Sequence, residues 1–172
     1  MIIWINGSFG SGKTTLSKAL KEHIPNSIIY DPEQIGCIIH RTVPESREID
    51  FQNFSMWRRL AVEFAKEFEI QFNKNLIVPM TLIVPEYQNE IFKSLAASKN
   101  GFYHFYLDIQ EKLLRERISN QKDMSEKTNK WRLDQVDRCL KAKATMPKDT
   151  IFIDSGKLLP EALVAEVKNY IK

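Results

Sequence analysis

One octapeptide constrains this chain more than any other feature. Residues 7 to 14 read Gly7-Ser8-Phe9-Gly10-Ser11-Gly12-Lys13-Thr14, a match to GxxxxGK[ST] at every required place. The apolar run 2–6 ahead of it reads as a buried strand, and Lys13–His23 behind it reads as a helix that ends near Pro25. Glycines let the backbone take turns that other residues resist, so successive N–H groups converge on phosphate oxygens. The following helix directs its positive end at the same anion. The expected chemistry is the grip of Gly7, Ser8, Phe9, Gly10, Ser11, Gly12, Lys13, Thr14 and Thr15 on a nucleotide, ATP. Lys13 reaches its β- and γ-phosphates, and Thr14 holds Mg²⁺.

The rest of the chain alternates short β-branched or aromatic runs with longer amphipathic stretches. Strands are expected at 27–30, 76–78, 102–107 and 150–153. Helices are expected at about 50–73, 86–98, 111–118 and 131–144, and a closing helix carries Leu159, Leu163, Val167, Tyr170 and Ile171 on one face. In the longest helix Phe51, Phe54, Trp57, Ala61, Phe64, Ala65, Phe68 and Phe72 recur at steps of three and four. Strands alternating with helices imply a parallel sheet covered on both faces. The expected fold is one three-layer α/β/α P-loop domain, residues 1–172, with a five-stranded parallel sheet. Residues 119–130 contain one large apolar residue, Met124, and read as a mobile lid loop.

Charge and cysteine usage narrow the partners. A net charge of +3 is too small to argue for nucleic acid, and a basic site facing phosphates accounts for it equally well. Cys37 and Cys139 form no CxxC pair, and His23, His40 and His104 lack ligand spacing, so neither a zinc site nor a disulfide framework is expected. The opening apolar run is too short for a secretory signal, and the longest apolar stretch, 76–84, is interrupted by Pro79 and too short to span a membrane. A cytoplasmic location is expected; the oligomeric state stays open.

Three kinds of P-loop protein compete. A GTPase carries NKxD after a strand, whereas Asn73-Lys74-Asn75-Leu76 lacks the Asp and precedes one. Motor ATPases carry an apolar run ending in Asp-Glu, and no strand here ends that way. The branch that remains holds adenylate, shikimate and chloramphenicol kinases. Within it, Met-Ile-Ile-Trp-Ile-Asn-Gly at 1–7, Tyr30-Asp31-Pro32-Glu33, Leu76-Ile77-Val78-Pro79-Met80-Thr81, Pro85-Glu86-Tyr87 and Asp137-Arg138-Cys139 resemble the tunicamycin-resistance protein family. The resemblance implies a kinase-like fold with the strand order 2-3-1-4-5, ATP and Mg²⁺ as cofactors, and protection against the nucleoside antibiotic tunicamycin. Protection would come by phosphorylating a hydroxyl of a small molecule, tunicamycin or a similar nucleoside or sugar compound, or by sequestering it without transfer. A housekeeping nucleotide or metabolite kinase is the third reading. Members of that family run further at the C-terminus, into an amphipathic segment proposed to touch the membrane; this sequence ends at Lys172, so the resemblance leaves peripheral membrane contact open. Kinases of this type also carry a second Arg four residues after the Arg that opens the lid. Here Gln121 holds that place after Arg117, with Lys122 beside it, which leaves a lysine lid or weaker transfer chemistry.

The candidate side chains each have two readings. Asp31 accepts the proton of an attacking hydroxyl, or it caps a helix with Pro32 at the first helical position and Gln34 reaching back; the resemblance favours the base. Arg58 meets a phosphate or sugar hydroxyl, or lies on a solvated helix face. The aromatic stripe belongs to a core, although Phe51, Phe54 and Trp57 at its start suit a site for a large amphipathic ligand. Arg117 stacks on adenine or meets phosphate and stabilises a closed state; otherwise it is a helix-end cation. By resemblance Arg138 points back into the site. Thr81 offers a hydroxyl where a strand ends, and Asp154 with Ser155 either approach the adenine or make a turn.

Overall fold

The first strand, β1 (Ile2–Gly7), is buried over its whole length and forms the middle of the sheet. The computed structural model describes residues 1–171. The remaining strands are β2 (Ser27–Ile29), β3 (Asn75–Pro79), β4 (Phe102–Asp108) and β5 (Ile151–Asp154). All pairings are parallel, in the order β2-β3-β1-β4-β5, with Ile2 opposite Leu76 on one side and Phe102 on the other. The order expected from the sequence is the order observed.

Among the described residues eight α-helices connect and cover the strands: α1 (Lys13–His23), α2 (Glu33–Thr42), α3 (Ser55–Phe72), α4 (Pro85–Leu95), α5 (Glu111–Ser119), α6 (Glu126–Asp134), α7 (Val136–Ala142) and α8 (Pro160–Tyr170). Because successive strand residues point to opposite faces, β1 feeds two cores. Ile2 and Trp4 meet Trp57, Ala61 and Ala65 of α3 and Ile91, Phe92 and Leu95 of α4. Ile3 and Ile5 meet Leu16 and Leu20 of α1 and Leu163, Val164 and Val167 of α8. Each such fully buried aliphatic side chain contributes roughly 1.5–3 kcal/mol. Among the described residues no helix is long and apolar enough to cross a membrane.

Three elements depart from expectation. The long helix begins at Ser55 rather than 50: the Asp50 carboxylate accepts the Gln52 N–H at 3.0 Å and closes a separate 3₁₀ turn, Phe51–Asn53, and Phe54 is extended. The apolar period ran through this break because Phe51 and Phe54 face the same core. Helix α2 was expected only through the capping reading of Asp31 and had no bounds; Ile35 and Ile39 bury one side of it. The stretch 131–144 is two helices, and α6 starts inside the expected loop, where Ser125 Oγ accepts the Thr128 N–H at 3.1 Å. Residues 119–130 are therefore only partly loop.

Candidate functional site

The site forms where the strands end. Gly7 has φ +143°, and a Cβ there would lie 2.7 Å from Ser11 Oγ and 3.1 Å from the Leu107 carbonyl. Gly12, which caps α1, has φ +100° with nothing within 4 Å of a Cβ, so its backbone alone calls for glycine. The fully buried Asn6 anchors the loop from beneath: its Oδ1 accepts the N–H groups of Gly7 (2.8 Å) and Leu82 (3.0 Å). Its Nδ2 donates to the Leu82 carbonyl at 2.6 Å and lies 3.3 Å from His104 Nε2. Thr81 Oγ1 donates to the Gly7 carbonyl at 2.9 Å.

Lys13 Nζ donates to the carbonyls of Gly7 (3.0 Å) and Ser8 (2.9 Å). Desolvation lowers its pKa from 10.5 to about 8; Glu33 acts against that fall and Arg132 adds to it. Over the loop opens a cavity of about 800 Å³. Phe9 to Thr15 form its floor, Asp31, Glu33, Pro79 and Thr81 one side, and Arg117, Gln121, Asp123, Met124, Arg132 and Ser155 the other. Asp31 accepts the Glu33 N–H at 3.0 Å, so it caps α2 while also facing the cavity; burial raises its pKa. Burial and then Asp31 raise that of Glu33, against the pull of Lys13 and Arg132. Arg117 Nη2 donates to the Ser155 carbonyl at 3.1 Å, and Ser155 in turn donates its N–H to the Asp108 carbonyl at 2.8 Å, which ties α5 to the turn after β5.

The structure thus gathers the loop from Phe9 to Thr15 with Asp31, Thr81 and Arg117 around one space, while Gly7 and Ser8 lie beneath, holding Lys13. Asp154 does not line that cavity; its Oδ1 accepts the Gly156 N–H at 3.0 Å in a turn. Further expected residues also lie outside it. Trp57 is fully buried in the core, its Nε1 donating to the Pro32 carbonyl at 2.9 Å, and Phe54 packs against the same core. Arg58 is held by Glu90 at 2.6 Å and the Gln52 carbonyl at 2.6 Å, over the Tyr87 ring at 4.3 Å. Arg138 is exposed and donates to Gln135 Oε1 at 3.4 Å. Its place at the cavity is taken by Arg132, whose Nη1 donates to Gln121 Oε1 at 2.9 Å. Neither Glu33 nor Arg132 was singled out from the sequence. Glu33 stood inside a capping pattern, and Arg132 inside a helix whose inward face no apolar period marks.

The donor set fits a nucleoside triphosphate. The loop glycines leave room for N–H groups to converge, Lys13 supplies a cation, and Ser11 Oγ is buried without a protein partner. Among the described residues no cluster of three or more His, Cys, Asp or Glu would hold a metal, so Mg²⁺ would depend on the Thr14 hydroxyl and the phosphates themselves.

This sheet order, with a glycine-rich loop between β1 and α1, defines a P-loop protein with a kinase-like fold. Residues 2–145 match the family model described as an AAA domain, and the chain belongs to that family. The fold is similar to that of the tunicamycin resistance protein of Deinococcus radiodurans, with TM-score 0.72 and 23% identity over 99% of this chain and 96% of that one. It is similar too to shikimate kinase from Bacteroides thetaiotaomicron, with TM-score 0.67 and 19% identity over 98% and 97% of the two chains. A gluconokinase from Sinorhizobium meliloti 1021 gives TM-score 0.63 and 16% identity over 95% and 87%. At these identities the likeness concerns the fold. No curated protein matches the sequence.

Proposed function

We propose that the chain is an ATP-dependent phosphotransferase acting on a hydroxyl of a small nucleoside or sugar compound, with tunicamycin the leading case. The observation that carries this reading is the sharing of one cavity by the Lys13 ammonium of the phosphate loop and the Asp31 carboxylate. Transfer of this kind asks for positioning and charge neutralisation rather than covalent participation by the protein. Magnesium ATP, when bound, supplies the phosphoryl group and a metal that balances its charge. Lys13 and the loop N–H groups hold the phosphates, and Thr14 offers the metal its hydroxyl. Asp31 receives the proton of the acceptor hydroxyl; its raised pKa makes it a stronger base than a solvated aspartate. Arg117, braced on Ser155, closes the far side. Residues 119–130 and α6 act as a lid that excludes water. The reaction belongs in the cytoplasm, where ATP is supplied.

The test is incubation with magnesium ATP and tunicamycin, beside a panel of nucleosides and sugars, followed by mass spectrometry for one added phosphoryl group. D31N should bind ATP and lose turnover. Nucleotide binding with no phosphorylated product from any acceptor would overturn the transferase reading. Undiminished protection by D31N in cells would support sequestration instead.

A further inference from the structure

Helix α6 buries none of its own residues. Leu133 at its end packs on the cluster of Leu114, Ile118 and Val136, and its carbonyl accepts from Arg115 Nη1 at 3.4 Å. On the cavity side its contacts converge on Phe9 and Gln121. The Trp131 ring meets Phe9 edge to face, with centroids 5.0 Å apart and planes at 62°. Arg132 donates to Gln121 Oε1 at 2.9 Å, and its guanidinium carbon lies 6.0 Å from the Phe9 ring centroid. Asn129 Nδ2 donates to the Gln121 carbonyl at 2.9 Å. Lys13 Nζ stands 5.6 Å from the same Phe9 ring. One phosphate-loop aromatic is thus shared by the loop's ammonium and by a guanidinium delivered from a different helix. Both cations line the large cavity, and the charge of Arg132 is felt at Lys13 and at Glu33. Two cations held this close repel one another, and the arrangement becomes favourable when a polyanion lies against both.

We infer that Arg132 is the lid cation for the terminal phosphate of a nucleoside triphosphate, and that Phe9 and Gln121 are the positioning residues that hold it there. The inference deepens the proposed function and rests on its reading of the cavity as an ATP site. Gln121 is suited to its part: its amide oxygen accepts one guanidinium N–H without neutralising the charge, as a carboxylate would. Phe9 joins lid position to the state of the loop, because its ring moves with the backbone that wraps the phosphates.

Calorimetry with magnesium ATP and magnesium ADP on wild type and variants tests this. R132Q should weaken ATP about tenfold to a hundredfold while leaving ADP within about twofold, and R132K should recover part of the loss. Q121A should reduce the preference for ATP over ADP in the same direction. W131A, a change at an exposed side chain with little bearing on folding, should do likewise. Trp4 and Trp57 are fully buried, so acrylamide quenching reports Trp131, and F9L should raise it in the free protein. If wild type binds both nucleotides and R132Q weakens them equally or not at all, Arg132 is not the lid cation and the inference fails alone. If Q121A and W131A leave the ATP preference unchanged while R132Q removes it, the positioning claim fails. If wild type binds neither nucleotide, the ATP-site reading falls and takes the inference with it.

Discussion

At the end of β2 the Asp31 carboxylate accepts the Glu33 N–H at 3.0 Å and also faces the cavity, so a single side chain serves local structure and the site. Different substitutions separate the two tasks. Asn keeps the capping oxygen, so D31N should melt within about 0.5 kcal/mol of wild type, yet lose turnover by about a hundredfold or more. D31A should lose about 1 kcal/mol as well, read by urea denaturation. Lys13 offers a pH signature. Its pKa is lower folded (about 8) than unfolded (10.5), so between those values the unfolded chain binds more protons and stability rises with pH. Wild type should therefore gain on K13M by on the order of 3 kcal/mol as the pH climbs from about 8 to 10.5. Parallel behaviour of the two proteins would show that the ammonium is not desolvated. Glu33 runs the other way. Its raised pKa means that the folded state holds the proton more tightly, so its contribution is full below the ordinary carboxylate pKa and is lost as pH rises through the folded value. E33Q should accordingly melt above wild type at pH 7, with the gap closing below about pH 4.

Among the elements, α2 shows how a helix is tied to the core through a glycine. A Cβ at Gly36 would lie 2.5 Å from Phe51 Cγ, and the Phe51 ring packs at 5.1 Å from that of Trp57. Alanine favours a helix interior over glycine by about 1 kcal/mol, yet displacing a packed ring costs about 1–3 kcal/mol. G36A should lose stability in urea denaturation, and a gain would mean that Phe51 gives way freely. The same packing explains a mistaken boundary. Phe51 and Phe54 continue the apolar period of α3, but the Asp50 turn breaks the backbone between them, and periodicity registers faces rather than backbone continuity. Helix α6 fails in the opposite sense: with none of its residues buried it leaves no apolar stripe, so its start at Glu126 was read as loop.

Across the whole molecule, the buried side chain of Asn6 joins the phosphate loop, the turn after β3 and β4. Oδ1 takes the N–H groups of Gly7 and Leu82, and Nδ2 reaches His104, whose other ring nitrogen lies 2.9 Å from Thr150 Oγ1. Burial lowers the His104 pKa to about 3, so the ring stays neutral and the network does not titrate near neutrality. N6A would orphan two buried N–H groups and should cost about 2–5 kcal/mol in denaturant unfolding, with nucleotide affinity falling too because the loop loses its footing. Unchanged affinity would show that the loop holds its shape unaided. What could be read from the chain was whatever local chemistry dictates. Glycine conformations and a lysine at the start of a helix define the phosphate loop, and the alternation of strand and helix periods implies the parallel sheet, whereas its strand order came with the resemblance to kinases. Which charges reach the cavity was not local. Arg58 is captured by Glu90, 32 positions away, and Arg138 turns outward while Arg132 meets Gln121. A long side chain has no preferred partner along the chain, and only the packing of distant helices decides which groups lie within hydrogen-bond reach.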